Sequence, residues 1–190
     1  MGTTPTLGAL DPVTESTPAA GATEATPEPG PQPVQWLTEQ EQKDWRAYRD
    51  ATIRLFDVIA HELDASSGLS AHEYEVLVRL SEAPDRTQRM SGLADDLAHS
   101  RSRLTHTVRR MEERGLVVRS ACSADARGVE CTMTELGWTT LVAAAPPHVQ
   151  SVRDHLVDVL TPEQFRALGD AMQTVRDHLV SGPCHAANLD

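Results

Sequence analysis

The segment from Ser100 to Met133 constrains the fold most, because a helical pattern ends there at a glycine and an alternating pattern follows. Ser100 can cap the helix, and Gly115 stands where a helix would end. The apolar residues of this helix recur three or four positions apart: Leu104, Val108 and Met111. Residues 116–118 are typical of a short strand, and residues 129–133 alternate apolar and polar side chains. This pattern predicts a two-stranded hairpin with a long polar tip.

Helix signals also precede this segment. Thr38 with Glu41, and Ser70 with Glu73, have the spacing of capping boxes and predict two helix starts. The first helix has a narrow apolar seam that extends to about residue 64: Trp45, Tyr48, Thr52, Leu55, Ile59 and Leu63. A helix of this length is long for a small domain, so we expect it to pair with another long helix or another subunit.

Weaker signals complete the predicted order of four helices, a hairpin and two helices. Ser91 can cap a third, short helix, and Thr161 followed by Pro162 begins the last helix. The helix after the hairpin is expected to break or kink at Pro146 and Pro147. The predicted fold class is therefore mostly α with a small β-hairpin wing, a winged helix-turn-helix flanked by long N- and C-terminal helices.

Charge is distributed unevenly along the chain. The formal net charge is −11, which excludes a globally basic nucleic-acid binder but not a local basic patch. Residues 97–127 hold seven arginines and three acidic residues, a local charge of +4. Residues 134–190 hold three arginines and seven acidic residues, a charge of −4. The predicted fourth helix and hairpin thus form the positive part of an acidic molecule.

The polar face of the fourth helix has the chemistry of a DNA-reading surface. Arginine can donate two bonds to guanine O6 and N7, and serine, threonine or histidine can bond single base edges. Free N–H groups at a helix start can also bind phosphate. The candidate contact residues are Ser100, Arg101, Ser102, Arg103, Thr105, His106, Arg109 and Arg110.

The hairpin tip holds one acidic and one basic residue. Arg127 could enter a narrow minor groove, where the negative potential attracts arginine. Asp125 could orient Arg127 or pair with an arginine of the fourth helix. An ordinary turn, in which aspartate and glycine set the bend, is the alternative.

The chain resembles the MarR family of bacterial transcriptional regulators. The resemblance rests on a set of segments and extends from about residue 36 to residue 179: Leu93–Leu97, Ser100–Thr105, Val108–Val117, Asp125–Gly128 and Met133–Gly137. It implies an obligate homodimer with one winged helix per subunit, in which the first and the last two helices form the interface. It also implies that the fourth helix reads the major groove and that Arg127 reaches the minor groove of a pseudo-palindromic operator.

The resemblance and the patterns together predict five regions. Residues 1–34 are expected to be a disordered acidic tail rich in proline, threonine and alanine. Residues 35–66 form the N-terminal dimerisation helix, and residues 67–140 form the winged helix-turn-helix DNA-binding domain. Residues 141–181 form the C-terminal dimerisation helices, and residues 182–190 are a flexible C-terminus.

The resemblance also implies a small-molecule effector. Members of the family commonly lose DNA affinity when a small aromatic or phenolic anion binds between the dimerisation helices and the DNA-binding lobe. Trp45, Tyr48 and Arg49 of the first helix are the expected contributors to such a pocket. The alternative is that these aromatic residues belong to the core.

Oxidant sensing through cysteine is an alternative function. Cys131 alternates in phase with its strand, so we expect it to face the core and to be inert. Cys122 is expected nearer the exposed loop, where Arg119 could lower its pKa, and Cys184 lies close to the C-terminus.

Two further alternatives are a small helical enzyme and a winged helix used only for protein contacts. The sequence contains no phosphate-binding glycine loop, nucleophile elbow or paired metal-binding cysteines. His148 and His155 share a helical face and could hold a metal, although solvated or interfacial histidines are the simpler interpretation. We therefore expect a cytoplasmic, non-enzymatic DNA-binding repressor with no cofactor, no metal and no membrane span.

Overall fold

The computed structural model describes residues 34–98, 100–122 and 128–182. The predicted tail up to residue 33, the hairpin-tip residues Asp125 and Arg127, and Cys184 in the C-terminal segment lie outside these residues.

Six α-helices and three short strands make up the described part of the chain. In chain order they are α1 (Glu39–Ser67), α2 (Ala71–Glu82), β1 (Thr87–Arg89), α3 (Met90–Asp96), α4 (Arg101–Glu113), β2 (Val117–Ala121), β3 (Val129–Met133), α5 (Glu135–Val152) and α6 (Pro162–Ser181). A 3₁₀ turn precedes β1, and a π-helical turn follows α5. This mostly helical fold with a small antiparallel sheet confirms the predicted fold class.

The helix ends follow the capping signals of the sequence. The Ser70 hydroxyl accepts from the N–H of Glu73, whose carboxylate accepts in return from the Ser70 N–H. Thr161 and Gln164 form the same reciprocal cap at the start of α6. Gly115 ends α4 with a φ of 72°, a left-handed conformation that suits glycine.

The sheet contains one strand that the sequence patterns did not predict. Its strand order is β1-β3-β2, and both pairings are antiparallel. β1 consists of Thr87, Gln88 and Arg89, three polar residues that show no apolar alternation. It is held by pairing with β3, and the hydroxyl groups of Thr87 and Thr132 lie 2.8 Å apart. Because β1 passes directly into α3 at Met90, Ser91 lies inside the helix, and its prediction as the N-cap is wrong.

The helix does not break at Pro146 and Pro147, so the first of the two outcomes predicted there, a break or a kink, is wrong. Both prolines lie inside α5, which continues to Val152, and the irregular π-helical turn follows at Arg153–Val157. The helix forgoes the two N–H donors that proline lacks and still continues as one element.

A single apolar core lies between α2, α3, α4 and the sheet. Its fully buried side chains include Leu69, Val76, Leu77, Leu80, Leu93, Val108, Met111, Val117 and Cys131. α5 joins this core closely, since a Cβ at Gly137 would overlap the carbonyl oxygen of Leu116. The two long terminal helices contribute little: Leu63 is the buried residue of α1, and α6 buries none of its residues. None of the described helices combines the length and the apolar character needed to cross a bilayer.

Candidate nucleic-acid interface

Helix α4 divides into a buried and an exposed face. Leu104, Thr107, Val108 and Met111 are buried against the core. All eight residues predicted to contact DNA lie on the exposed side: Ser100, Arg101, Ser102, Arg103, Thr105, His106, Arg109 and Arg110. Thr107, which was not among the predicted contact residues, is turned inward. The structure thus presents one polar, arginine-rich helix face to solvent.

Two hydroxyl groups at the start of α4 already have partners in the chain. The Ser100 Oγ accepts from the Arg103 N–H at 3.3 Å and caps the helix. The Thr105 hydroxyl donates to the Arg101 carbonyl oxygen at 2.7 Å. Both bonds fix the first turn, so the side chains of Arg101 and Ser102 project from a rigid helix start.

The arginines of the basic segment differ in their electrostatic partners. Arg109 pairs with Glu113 one helical turn ahead, at 3.0 Å, and Arg119 pairs with Glu112. Arg110 and Arg114 both reach Glu73 on α2. By contrast, Arg101 and Arg103 have no ion-pair partner within residues 34–98, 100–122 and 128–182. The uncompensated positive charge is therefore concentrated at the N-terminal end of α4.

Glu73 is a buried carboxylate that connects three elements. It is 3% exposed and accepts from the Ser70 N–H and hydroxyl, from Arg110 Nη2 at 3.3 Å and from Arg114 Nη1 at 3.2 Å. Arg114 also donates to the carbonyl oxygen of Gly68, in the link between α1 and α2. Burial alone would raise the pKa of Glu73, but the Ser70 hydrogen bonds and the two guanidinium charges hold this pKa below its usual value.

This network changes the interpretation of Arg110. Its side chain is half exposed, yet its guanidinium is directed to Glu73 and away from the outer face of α4. A role in holding α4 on α2 therefore accompanies or replaces the predicted DNA contact. The spacing of Ser70 and Glu73 predicted the capping box, but no sequence pattern indicated the contact between Glu73 and Arg110.

The base of the hairpin is described, whereas its tip is not. The Cys122 N–H donates to the Gly128 carbonyl oxygen at 2.8 Å and continues the pairing of β2 with β3. The predicted minor-groove residue Arg127 and its neighbour Asp125 lie outside the described residues. Their roles stay predictions.

The two described cysteines are both buried. Cys131 is fully buried between the strands and the core, and burial raises its pKa to about 12, as expected for an inert thiol. Cys122 lies next to the hairpin tip, as expected, but it is buried there, with 5% of its surface exposed. Its Sγ lies 3.2 Å from Nη2 of Arg89, whereas Arg119 bonds Glu112. No sequence pattern indicated the Arg89 contact, because β1, which carries Arg89, was not predicted.

The three residues predicted for an effector pocket lie on the exposed first half of α1. The Trp45 and Tyr48 rings contact each other with centroids 6.0 Å apart, and Arg49 pairs with Asp50. None of the three lines the cleft that α1 forms with α2, α3 and α5 beside Tyr74 and His148. The role of the three residues in ligand binding stays a prediction.

This cleft of about 560 Å³ lies between α1, α2, α3 and the α5 region. Six of the side chains that line it are Phe56, Ile59, Tyr74, Arg79, His148 and Val152. The Tyr74 and His148 rings are 4.4 Å apart, and the buried Nδ1 of His148 has no hydrogen-bond partner among the described residues. Burial lowers the pKa of His148, which favours the neutral ring at pH 7. The cleft offers an apolar space with a polar edge.

The described histidines do not form the metal pair that their spacing allowed. His148 packs on Tyr74, while the Nε2 of His155 lies 2.9 Å from a Glu62 oxygen on α1. Within the described ranges, no group of three His, Cys, Asp or Glu side chains is arranged to hold a metal ion.

Comparisons with known proteins agree on one family. The MarR family model matches residues 69–129. The MarR family transcriptional regulator Sco3205 from Streptomyces coelicolor, solved in complex with DNA, is 41% identical over 76% of this chain and 94% of its own, with a TM-score of 0.74. AbsC, a MarR family transcriptional regulator from the same organism, is 39% identical over 78% of this chain and 100% of its own, with a TM-score of 0.74.

A more distant likeness shows the fold alone. A probable transcriptional regulator from Pseudomonas aeruginosa is 23% identical over 72% of this chain and 98% of its own, with a TM-score of 0.63. The comparison with curated proteins gives no match.

We expect the Glu73→Gln variant to reduce the free energy of unfolding by about 1–3 kcal/mol at neutral pH, because the charged hydrogen bonds to Arg110 and Arg114 are weakened. Since folding lowers the pKa of Glu73, its contribution is complete above its usual pKa of 4.5 and disappears as the pH falls through the folded-state pKa. Urea unfolding at pH 7 and at a series of pH values below 4.5 measures the effect of the substitution and its disappearance in acid. Glu113→Gln, which alters an exposed pair on α4, is the control and should change stability little. Equal stability of wild type and Glu73→Gln at pH 7 would contradict this role.

Proposed function

The chain belongs to the MarR family of DNA-binding transcriptional regulators, and from this premise we propose that it is a homodimeric repressor that reads a pseudo-palindromic operator and is released by a small aromatic effector. The observation that carries the proposal is the exposed face of α4, where Arg101 and Arg103 stand without carboxylate partners among the described residues.

The N-terminal half of α4 is the proposed major-groove reader. Arg101, Ser102, Arg103 and His106 are exposed on a helix whose opposite face is fixed in the core. Arg109 lies farther along the same face, 69% exposed, in a surface pair with Glu113. Such pairs contribute little to stability, so Arg109 can exchange Glu113 for a guanine edge at small cost.

The hairpin tip is the proposed minor-groove contact. Arg127, oriented by Asp125, would enter the groove adjacent to the one that α4 occupies, where the negative potential attracts a guanidinium. The proposal is supported by the base of the hairpin, where Cys122 and Gly128 keep β2 and β3 paired up to the tip.

A second copy of the chain is the proposed partner of the terminal helices. α6 is twenty residues long and buries none of them in the single chain. Its apolar residues Phe165, Val175 and Leu179 are exposed, as are Ile53 and Phe56 of α1. Exposed apolar surface on this scale marks an interaction site. Two copies joined through these helices would place two α4 helices on half-sites about one helical turn apart.

The cleft at Tyr74 and His148 is the proposed effector site. It lies between the α1 and α5 helices and the DNA-binding core, and its walls are mainly apolar. Arg79 at the wall is paired with Glu82 at 3.2 Å, and Glu75 and Asp96 add further carboxylates, so the cleft favours a neutral aromatic ligand such as a phenol. His148 Nδ1 is a buried polar atom for the hydroxyl of such a ligand. A phenol bound there would contact both the dimerisation helices and the DNA-binding domain, and so would affect the spacing of the two α4 helices.

Selection of bound fragments from the source genome's DNA tests the proposed function directly. Recovered fragments should share a two-fold-related sequence, and affinity for them should fall steeply as salt rises, because phosphate contacts release counterions. Recovered fragments that share no sequence would contradict operator recognition. Failure to recover any fragment, or a response independent of salt, would favour a winged helix used for protein contacts.

The Arg109→Ala variant should distinguish less well than the wild type between the selected operator and duplexes with an altered half-site. Removal of one bidentate arginine–guanine pair reduces discrimination by about 1–3 kcal/mol. Arg110→Ala, one position along the helix but directed to Glu73, is the matched control and should change discrimination less. The measurement is fluorescence anisotropy with operator duplexes altered at single positions. Unchanged discrimination in a folded Arg109→Ala variant would remove Arg109 from the reading face.

Benzoate and phenol are suitable probes of the effector site, one an aromatic anion and one a neutral phenol. We expect phenol to weaken operator binding by the wild-type chain more than benzoate does, because Arg79 is paired with Glu82 and the carboxylates of Glu75 and Asp96 disfavour an anion. The Ala60→Leu variant adds volume to the cleft wall and should bind operator normally without responding to phenol. Operator affinity that phenol lowers equally in both proteins would place its action outside the cleft.

A further inference from the structure

We propose that the ion pair between Glu112 of α4 and Arg119 of β2 is a brace that sets the angle of the hairpin relative to α4. Through this brace Glu112 strengthens DNA binding, although it carries a negative charge. The inference rests on the proposed function, in which α4 and the hairpin tip enter adjacent grooves. Glu112 is thus a positioning residue, which acts on DNA through Arg119 and the hairpin.

Three hydrogen bonds join the two residues across the turn between α4 and β2. Oε2 of Glu112 accepts from Nε of Arg119 at 3.0 Å and from Nη2 at 2.6 Å. Oε1 accepts from the backbone N–H of Arg119 at 3.1 Å. These bonds hold the pKa of Glu112 below its usual value, so the carboxylate is charged at pH 7. A carboxylate that binds both the guanidinium and the backbone of one residue fixes its direction as well as its distance.

The brace holds β2 where this strand leaves the apolar core. Val117 is fully buried, whereas Val118, Ser120 and Ala121 are exposed. β2 is an edge strand of the described sheet and pairs on one side with β3. Since the Arg119 N–H bonds Glu112, α4 secures this edge strand at a point between the core and the hairpin tip.

The angle of the hairpin matters because two contacts in adjacent grooves require a fixed separation. A hairpin that is free to change its angle would have to be ordered when DNA binds, and the cost of this ordering weakens binding. Exposed ion pairs usually contribute little to folding stability. We therefore expect the brace to affect DNA affinity more than the free energy of unfolding.

The neighbouring pair of Arg109 and Glu113 provides a matched comparison. Glu113 directly follows Glu112 and accepts from Nε of Arg109 at 3.0 Å. This pair joins two positions of the same helix, one turn apart, and cannot orient the hairpin. Loss of a negative charge near DNA ordinarily strengthens binding, because it reduces the repulsion by the phosphates. Glu113→Gln should therefore bind DNA at least as tightly as the wild type, whereas Glu112→Gln should bind it more weakly.

The test compares the full-length wild type, Glu112→Gln and Glu113→Gln on a DNA fragment that the wild type binds. In fluorescence anisotropy, Glu112→Gln should lower the affinity about two- to tenfold for each hairpin, the factor by which ordering one side chain changes a binding constant. Hydroxyl-radical footprints should show weaker minor-groove protection than the wild type gives. Dimethyl sulfate interference at guanine N7, which reports the major groove, should keep the wild-type pattern.

Arg119→Gln tests the brace from its other side. The losses of affinity caused by Glu112→Gln and Arg119→Gln should not add in the double variant, because each substitution removes the same brace. Circular dichroism melting curves should show that all variants are folded, with midpoints close to that of the wild type.

Two outcomes would overturn the inference. One is a folded Glu112→Gln variant that binds DNA as tightly as Glu113→Gln does, and the other is an equal weakening of minor-groove protection and major-groove interference. Absence of minor-groove protection by the wild type would refute the proposed hairpin contact and this inference with it. Failure of the wild type to bind any duplex would instead refute the proposed function.

Discussion

The carboxylate of Glu73 joins the helices that position the exposed, arginine-rich face of α4. It is buried at the start of α2, where it accepts from the N–H of the cap residue Ser70. It also accepts from Arg110 of α4 and from Arg114, which directly follows α4. Arg114 extends the contact to the Gly68 carbonyl, next to the end of α1. A buried charge is tolerated only when it is fully paired. This network therefore fixes α4, the helix proposed to read DNA, on α2 and links it to the long helix proposed to form the dimer.

The same pairing explains how a chain with a net charge of −11 can present a positive face. Glu113 pairs with Arg109 in the second half of α4, and Glu112 pairs with Arg119 in β2. The first turn of α4 lacks such partners, since neither Arg101 nor Arg103 pairs with a carboxylate of the described residues. Positive charge is thus concentrated at the start of α4.

Local rules predicted α4 and its surroundings well. Ser100, the spacing of Leu104 and Val108, and Gly115 carry short-range signals, and the structure follows each. β1 escaped prediction because three polar residues become a strand only through pairing with β3, whose Thr132 lies 45 positions after its partner Thr87.

Tertiary contacts decided the rest. The positions of Arg89 and Cys122 depend on β1, and the burial of Glu73 depends on the approach of α4 to α2. The cleft proposed as the effector site likewise combines residues of separate segments, so no local pattern could have assigned His148 to it.

Dimethyl sulfate interference on a selected operator tests the central claim most directly, because methylation of guanine N7 blocks contacts in the major groove alone. The account predicts two symmetry-related clusters of interfering guanines, with centres about 10 base pairs apart, one for each α4 helix. Interference at a single cluster, or binding that tolerates methylation at every guanine, would contradict a dimer that reads DNA through the exposed face of α4.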